Sequence, residues 1–207
     1  MFHRRKRPYN TRNYGHDDKK FKSQYIDIMP DFSPSGLLEL ESNNKEGIAL
    51  KHVEPQDAIS PDNYMDMLGL EARDRTMYEL VIYRKNDKDK GPWKRYDLNG
   101  RSCYLVGREL GHSLDTDLDD RTEIVVADIG IPEETSSKQH CVIQFRNVRG
   151  ILKCYVMDLD SSNGTCLNNV VIPGARYIEL RSGDVLTLSE FEEDNDYELI
   201  FMNVHHH

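Results

Sequence analysis

Cysteine, long apolar runs and the usual signatures of catalysis are all scarce in this sequence. Its four cysteines (Cys103, Cys141, Cys154, Cys166) stand 38, 13 and 12 positions apart in 207 residues, which fits no CxxC zinc pattern. Three of them lie in apolar runs, so they read as reduced cysteines in or beside a core, in a reducing intracellular compartment. No run of 18 apolar residues occurs and no charged-then-apolar leader opens the chain; neither a membrane span nor secretion is expected. No GxSxG elbow is present, so a serine-hydrolase site has no motif to start from. The apolar share is only 38%, against 30% charged. That composition supports one domain of about 130 residues with unpacked appendages.

Charge is unevenly spread. Residues 1–22 carry eight Lys/Arg against Asp17 and Asp18, a net of +6, which leaves −15 on the remainder of a chain totalling −9. An acidic body is a poor nucleic-acid binder, and no sequence-specific nucleic-acid contact is expected from it. The basic start reads as an interaction or targeting arm, with Arg4-Arg5-Lys6-Arg7-Pro8 as a nuclear-import or phosphate-seeking stretch. Residues 1–52 lack apolar periodicity and are expected to be a disordered tail. Within it, residues 22–42 gather Tyr25, Ile26, Ile28, Met29, Phe32, Leu37, Leu38 and Leu40. Such a segment cannot fold alone; it either orders in a partner's groove or docks on its own domain.

Residues 53–76 read as a linker with one short helix packing on the domain. Ser60 is a good N-cap, Pro61 suits the first helical position and Gly69 can end it, with Tyr64, Met67 and Leu68 as the packing face. From Tyr78 the apolar period becomes two. Strands are expected near 78–84, 93–97, 102–106, 123–127, 141–146, 151–158, 169–171, 177–179, 185–188 and 197–203, with turns at Asn147–Gly150, Asn163-Gly164, Pro173-Gly174 and Ser182–Asp184. The fold class is therefore all-β, a two-sheet antiparallel sandwich over residues 77–204. His205, His206 and His207 read as the remnant of a purification tag.

Three clusters sit where expected strands meet loops. Gly107-Arg108 ends an apolar run, Ser137-Lys138-Gln139-His140 precedes another, and Asp160-Ser161-Ser162-Asn163-Gly164-Thr165 closes the stretch. Arg108 offers a planar, permanently charged fork, Ser137 a hydroxyl, and Asn163 an amide that can both donate and accept. Together they offer what a phosphorylated peptide needs. The order Gly-Arg, Ser-x-x-His, Asn-Gly-Thr, set among strands from about Arg75 to Val204, resembles the forkhead-associated (FHA) domain family. Ser137–His140, Asp158–Thr165, Leu167–Asn169 and the tail's Phe32–Leu38 narrow the resemblance to the FHA subunits of pre-mRNA retention-and-splicing (RES) complexes.

The resemblance implies an FHA-type sandwich that binds a phosphothreonine-containing protein across its loop tips. In that picture Arg108 takes two phosphate oxygens, Ser137 bonds a third, Lys138 adds charge, Asn163 holds the peptide backbone and Ser162 walls a niche for the threonine methyl. Gly107, His140, Gly164 and Thr165 support the site, His140 by tying loops together. The tail would grip an RNA-recognition-motif subunit inside a nuclear splicing assembly, the protein being monomeric outside it. No catalytic residue, cofactor or metal is expected. The alternative is a structural subunit, assembled through its tail, whose phosphate site is unused.

Rival readings are weaker. Asp115 to Asp120 imitates an EF-hand start, but Asp120 stands where Gly is needed and Val126 where a bidentate Glu belongs. Asn163-Gly164-Thr165 spells a glycosylation sequon, a coincidence of letters without a leader. Asp158 and Asp160 are better read as turn caps than as a catalytic pair. The acidic loop holding Glu109, Asp115, Asp117, Asp119, Asp120 and Glu123 would repel phosphate if it faced the cleft.

Overall fold

A computed structural model describes residues 44–45, 48–109, 126–191, 193 and 195–205. The tail residues Tyr25 to Leu40, the Arg4–Pro8 stretch and the acidic positions Asp115 to Glu123 lie outside them. In chain order the elements are β1 (Asn44–Lys45), β2 (Ile48–Ala49), α1 (Pro61–Met67), β3 (Thr76–Arg84), β4 (Lys94–Asp97), β5 (Cys103–Arg108), β6 (Ile129–Ile131), β7 (Cys141–Val148), β8 (Ile151–Asp158), β9 (Cys166–Leu167), β10 (Val170–Val171), β11 (Ile178–Leu180), β12 (Val185–Thr187) and β13 (Tyr197–His205). Two short 3-10 turns cover Ala72–Asp74 and Lys85–Lys90.

Two sheets face each other. One runs β10-β9-β12-β13-β3-β4, the other β11-β8-β7-β5-β6. Alternation decides what meets between them: Leu80 and Ile82 of β3, Val106 of β5, Ile143 and Phe145 of β7, Val156 of β8 and Leu199 and Phe201 of β13 all point into one apolar core. Tyr78 stacks on Phe201 and meets Phe145 edge-on, joining the sheets through rings. Cys141 and Cys154 lie in this core, Cys166 is buried, Cys103 is half-buried, and all four are free thiols. Burial pushes the Cys103 and Cys141 thiols far up, which leaves them inert.

The second sheet is covered on its outer face as well. Leu105, Val142, Tyr155, Met157 and Leu159 form a further apolar cluster there, with Ile48 and Leu50 packed on it. Residues 48–60 cross this face as a strap. His52 Nε2 donates to Gln144 Oε1 at 2.8 Å, the amide nitrogen of Gln144 being committed to the Ser102 and Phe145 carbonyls. Asp57 takes both Nε and Nη2 of Arg146, at 2.8 and 2.9 Å, while Asn147 N donates to the Asp57 carbonyl. The packed region thus begins inside the stretch expected to be tail, because β7 and β8 are apolar on both faces and need a cover.

Four other expectations are corrected. The Ser60 hydroxyl caps α1 by accepting from Asn63 N at 3.2 Å, yet the buried face is Pro61, Tyr64 and Met65. Met67 and Leu68 are 59% and 51% exposed: Tyr64 bonds the Gly150 carbonyl, and that anchor turns the helix so that Met65 faces in. Val126 and Ala127 precede a strand instead of forming one, and β6 pairs in parallel with β5, so that sheet is mixed. Asn169 belongs to the two-residue turn between β9 and β10, where Asn168 and Asn169 both take positive φ. β13 continues through His205, paired with Thr76, so that residue extends the sheet.

Cutting the strap's ionic anchor tests its weight. Asp57→Ala leaves a nearly buried guanidinium without its carboxylate, and after allowance for the partial exposure of Asp57 should cost about 1–3 kcal/mol. Urea unfolding measures this directly; a change below about 0.5 kcal/mol, the level of an ordinary surface substitution, would show that the strap is held by other means.

Candidate functional site: two loops at the rim of the second sheet

β5 ends at Arg108, beside the loop of residues 132–140, and β8 ends at Asp158, beside the loop of residues 159–165. These two loops and Arg108 meet at one rim. Arg108 N donates to the Ser137 carbonyl at 2.9 Å, and its Nη1 to the Glu134 carbonyl at 3.1 Å. Ser137 Oγ accepts from Ser162 N at 3.1 Å and lies 3.4 Å from Ser162 Oγ. Asn163 Nδ2 donates to the Thr135 carbonyl at 2.8 Å. Arg108, Ser162 and Asn163 thereby converge on the segment 134–137. Lys138 and Ser162 are exposed on the same rim, while Arg108 and Asn163 are half-buried.

Gly107 is needed for a close approach and not for its φ. A Cβ there would fall on the Lys138 carbonyl, 2.7 Å from its carbon and 3.0 Å from the Ser137 oxygen. Any side chain would push the serine loop off the end of β5.

His140 is fully buried between the loops. Its Nδ1 accepts from Ser137 N at 3.0 Å and its Nε2 reaches the Gly164 carbonyl at 3.1 Å. The two contacts fix the neutral tautomer with the proton on Nε2. Burial holds its pKa below the ordinary histidine value, partly offset by the Gly164 carbonyl and Asp158. The second loop has its own brace: Asp158 accepts from Ser161 N, Ser161 Oγ and the buried Thr165 Oγ1 at 3.0, 2.6 and 2.6 Å. Asp158 is therefore spent on the turn. The Glu109 side chain lies over Gly130 of the neighbouring strand β6.

Sequence reasoning missed several supports. Glu133 is buried at the root of the serine loop, its Oε1 accepting from Asp196 N at 2.6 Å, and burial raises its pKa. Gln139 binds the strap through both ends of its amide. Thr135 and Glu134 act through their backbone carbonyls, which any residue could supply; no side-chain signal marks them. One N–H of the Asn163 amide is used internally, leaving its second N–H and its oxygen as the parts that can face a ligand.

The model of the FHA domain matches residues 104–189, from β5 to just past β12. The structure of the yeast Pml1 splicing factor, solved together with its integration into the RES complex, is 94% identical with a TM-score of 0.70, covering 76% of this chain and 100% of its own. That of full-length yeast Pml1p is 94% identical with a TM-score of 0.69, covering 74% and 100%. The chain belongs to the FHA domain family. Smad nuclear interacting protein 1 of Rattus norvegicus is 31% identical over 176 residues, 81% of this chain, and the chain spans only 37% of that relative's length.

Two measurements probe the loop junction. Gly107→Ala should cost about 1–3 kcal/mol by overpacking against the 137–138 backbone, read by thermal unfolding. The buried histidines His140 and His52 both have lowered pKa values. Their contribution is whole above the unfolded value near 6.5 and is lost as pH falls toward the folded one. Stability should then drop below pH 6.5 by up to about 1.4 kcal/mol per pH unit for each histidine. His140→Gln removes one of the two, so urea unfolding between pH 7.5 and 5.5 should show a shallower fall; an unchanged slope would contradict this.

Proposed function

We propose that the rim formed by Arg108, Ser137, Ser162 and Asn163 binds a phosphothreonine-containing segment of a protein partner. The observation that carries the reading is the state of Ser137. Its hydroxyl oxygen accepts from Ser162 N at 3.1 Å, and its proton is engaged by no more than a long 3.4 Å bond to Ser162 Oγ. The hydroxyl proton can therefore turn outward to a phosphate oxygen beside the Arg108 guanidinium. Phosphate brings about −1.5 to −2 charges and three acceptors, matched by a guanidinium fork, a hydroxyl and Lys138. Asn163 Oδ1 can accept from the peptide backbone, and Ser162 lines the place of the threonine methyl.

In this reading the chain is an interaction subunit of a pre-mRNA retention and splicing complex, nuclear and non-enzymatic, with its tail docking an RNA-recognition-motif subunit. The support is the 94% identity to yeast Pml1, a splicing factor integrated into the RES complex. A second reading, a structural subunit with an unused phosphate site, draws on the carbonyls of Glu134 and Thr135, which already occupy donors of Arg108 and Asn163.

Titration with phosphothreonine peptides separates the two. Arg108→Ala should cost about 2–5 kcal/mol of binding. Equal affinity for phosphorylated and unphosphorylated peptides would leave the structural reading, in which Arg108→Ala spares complex assembly and deletion of residues 25–40 abolishes it.

A further inference from the structure

The strap reaches the backs of both phosphate-site loops. Gln139 sits between the site residues Lys138 and His140 and is buried to 8% exposure. Its side chain leaves the rim and points to the strap, where Oε1 accepts from Lys51 N at 2.8 Å and Nε2 donates to the Ala49 carbonyl at 2.9 Å. This is the pairing of a strand edge made by one side chain, and it leaves no alternative orientation for the amide. One residue also reaches the other loop: Lys51 Nζ donates to the Leu159 carbonyl at 2.9 Å. Leu159 N in turn donates to the His140 carbonyl at 2.9 Å. Residues 49–51 therefore grip the serine loop at Gln139 and the asparagine loop at Leu159, away from the Ser137–Ser162 contact.

We propose that Lys51 and Gln139 are positioning residues for the phosphopeptide site, holding the Ser137 loop and the Asn163 loop in register through a strap 88 residues away in sequence from the loop that it fastens. The inference rests on the phosphate-recognition reading. Its physical basis is the short reach of the ligand-facing groups. Ser137 Oγ and Ser162 N are 3.1 Å apart, and hydrogen bonds weaken steeply when such groups drift by a few tenths of an ångström. The rim itself joins the two loops through Ser162 N and Oγ at Ser137 Oγ and through Asn163 Nδ2 at the Thr135 carbonyl, all on the ligand-facing residues, so their placement needs a brace that a ligand does not compete for. His140 supplies it from within, Lys51 and Gln139 from behind.

The test compares phosphothreonine-peptide affinity and two-dimensional amide spectra for Lys51→Met, Lys51→Arg and Gln139→Met in the full chain. Lys51 is exposed, so its variants should fold even if Gln139→Met does not. Both Met variants should weaken binding by about five- to tenfold, the loss of one or two hydrogen bonds, and shift the amides of Ser137 and Asn163. Lys51→Arg, which keeps a donor for Leu159, should restore both to near wild type. Met variants that melt earlier yet bind within about twofold of wild type, with unshifted amides, would overturn the proposal. Should the wild-type chain bind no phosphothreonine peptide, the recognition reading fails. The amides then decide the brace alone: shifted in Lys51→Met and restored in Lys51→Arg, it stands; unshifted, it falls.

Discussion

A neutral imidazole with no exposed surface holds the two rim loops together. His140 accepts from one loop and donates to the other, so the separation of Ser137 from Gly164 is set by the width of a ring. In a dry interior both contacts are stronger than in water and neither loop can relax without orphaning a buried partner. The other site features depend on that spacing. Gly107 clears the space for the serine loop, Asp158 and Thr165 stiffen the asparagine loop, and Glu133 pins the root of the first to the start of β13.

Burial of the second sheet on both faces is the other constraint. β7 and β8 present apolar side chains inward to the shared core and outward to a smaller cluster. Without residues 48–60 the outer cluster would face water, at about 25 cal/mol for each Å² exposed. The strap answers this with two apolar residues, a buried histidine and a bidentate ion pair. The polar groups beneath it, Gln139, Gln144 and Arg146, all have strap partners. The same cover that closes the core also reaches the loops of the rim.

Most of the strands could be read from the period-two pattern and its turn residues, and the helix from Ser60, Pro61 and Gly69. The failures have particular causes. The apolar run at Cys141–Phe145 signals a strand buried on both sides, but not what covers it. β6 holds a single glycine between two isoleucines and has no alternation to display. At α1, Tyr64 and Met67 lie one turn apart, and the bond from Tyr64 to Gly150, far along the chain, selects the buried face. In the site, Arg108, Ser137 and Asn163 were legible because their chemistry is unusual at strand ends. The carbonyls of Glu134 and Thr135 were not, since a backbone carries no letter, and nothing in the letters around Gln139 points to its strap partners.

The amino-acid sequence alone determined the fold class, the rim residues by type and the reduced state of the thiols, because alternation, turn chemistry and cysteine spacing are local properties. Tertiary structure decided which way each of those residues faces and what it touches. Asn163 is partly spent on Thr135, Glu109 lies over Gly130, and the strap of residues 48–60 belongs to the folded body. Each depends on a contact between segments dozens of residues apart, whose distance no local pattern encodes.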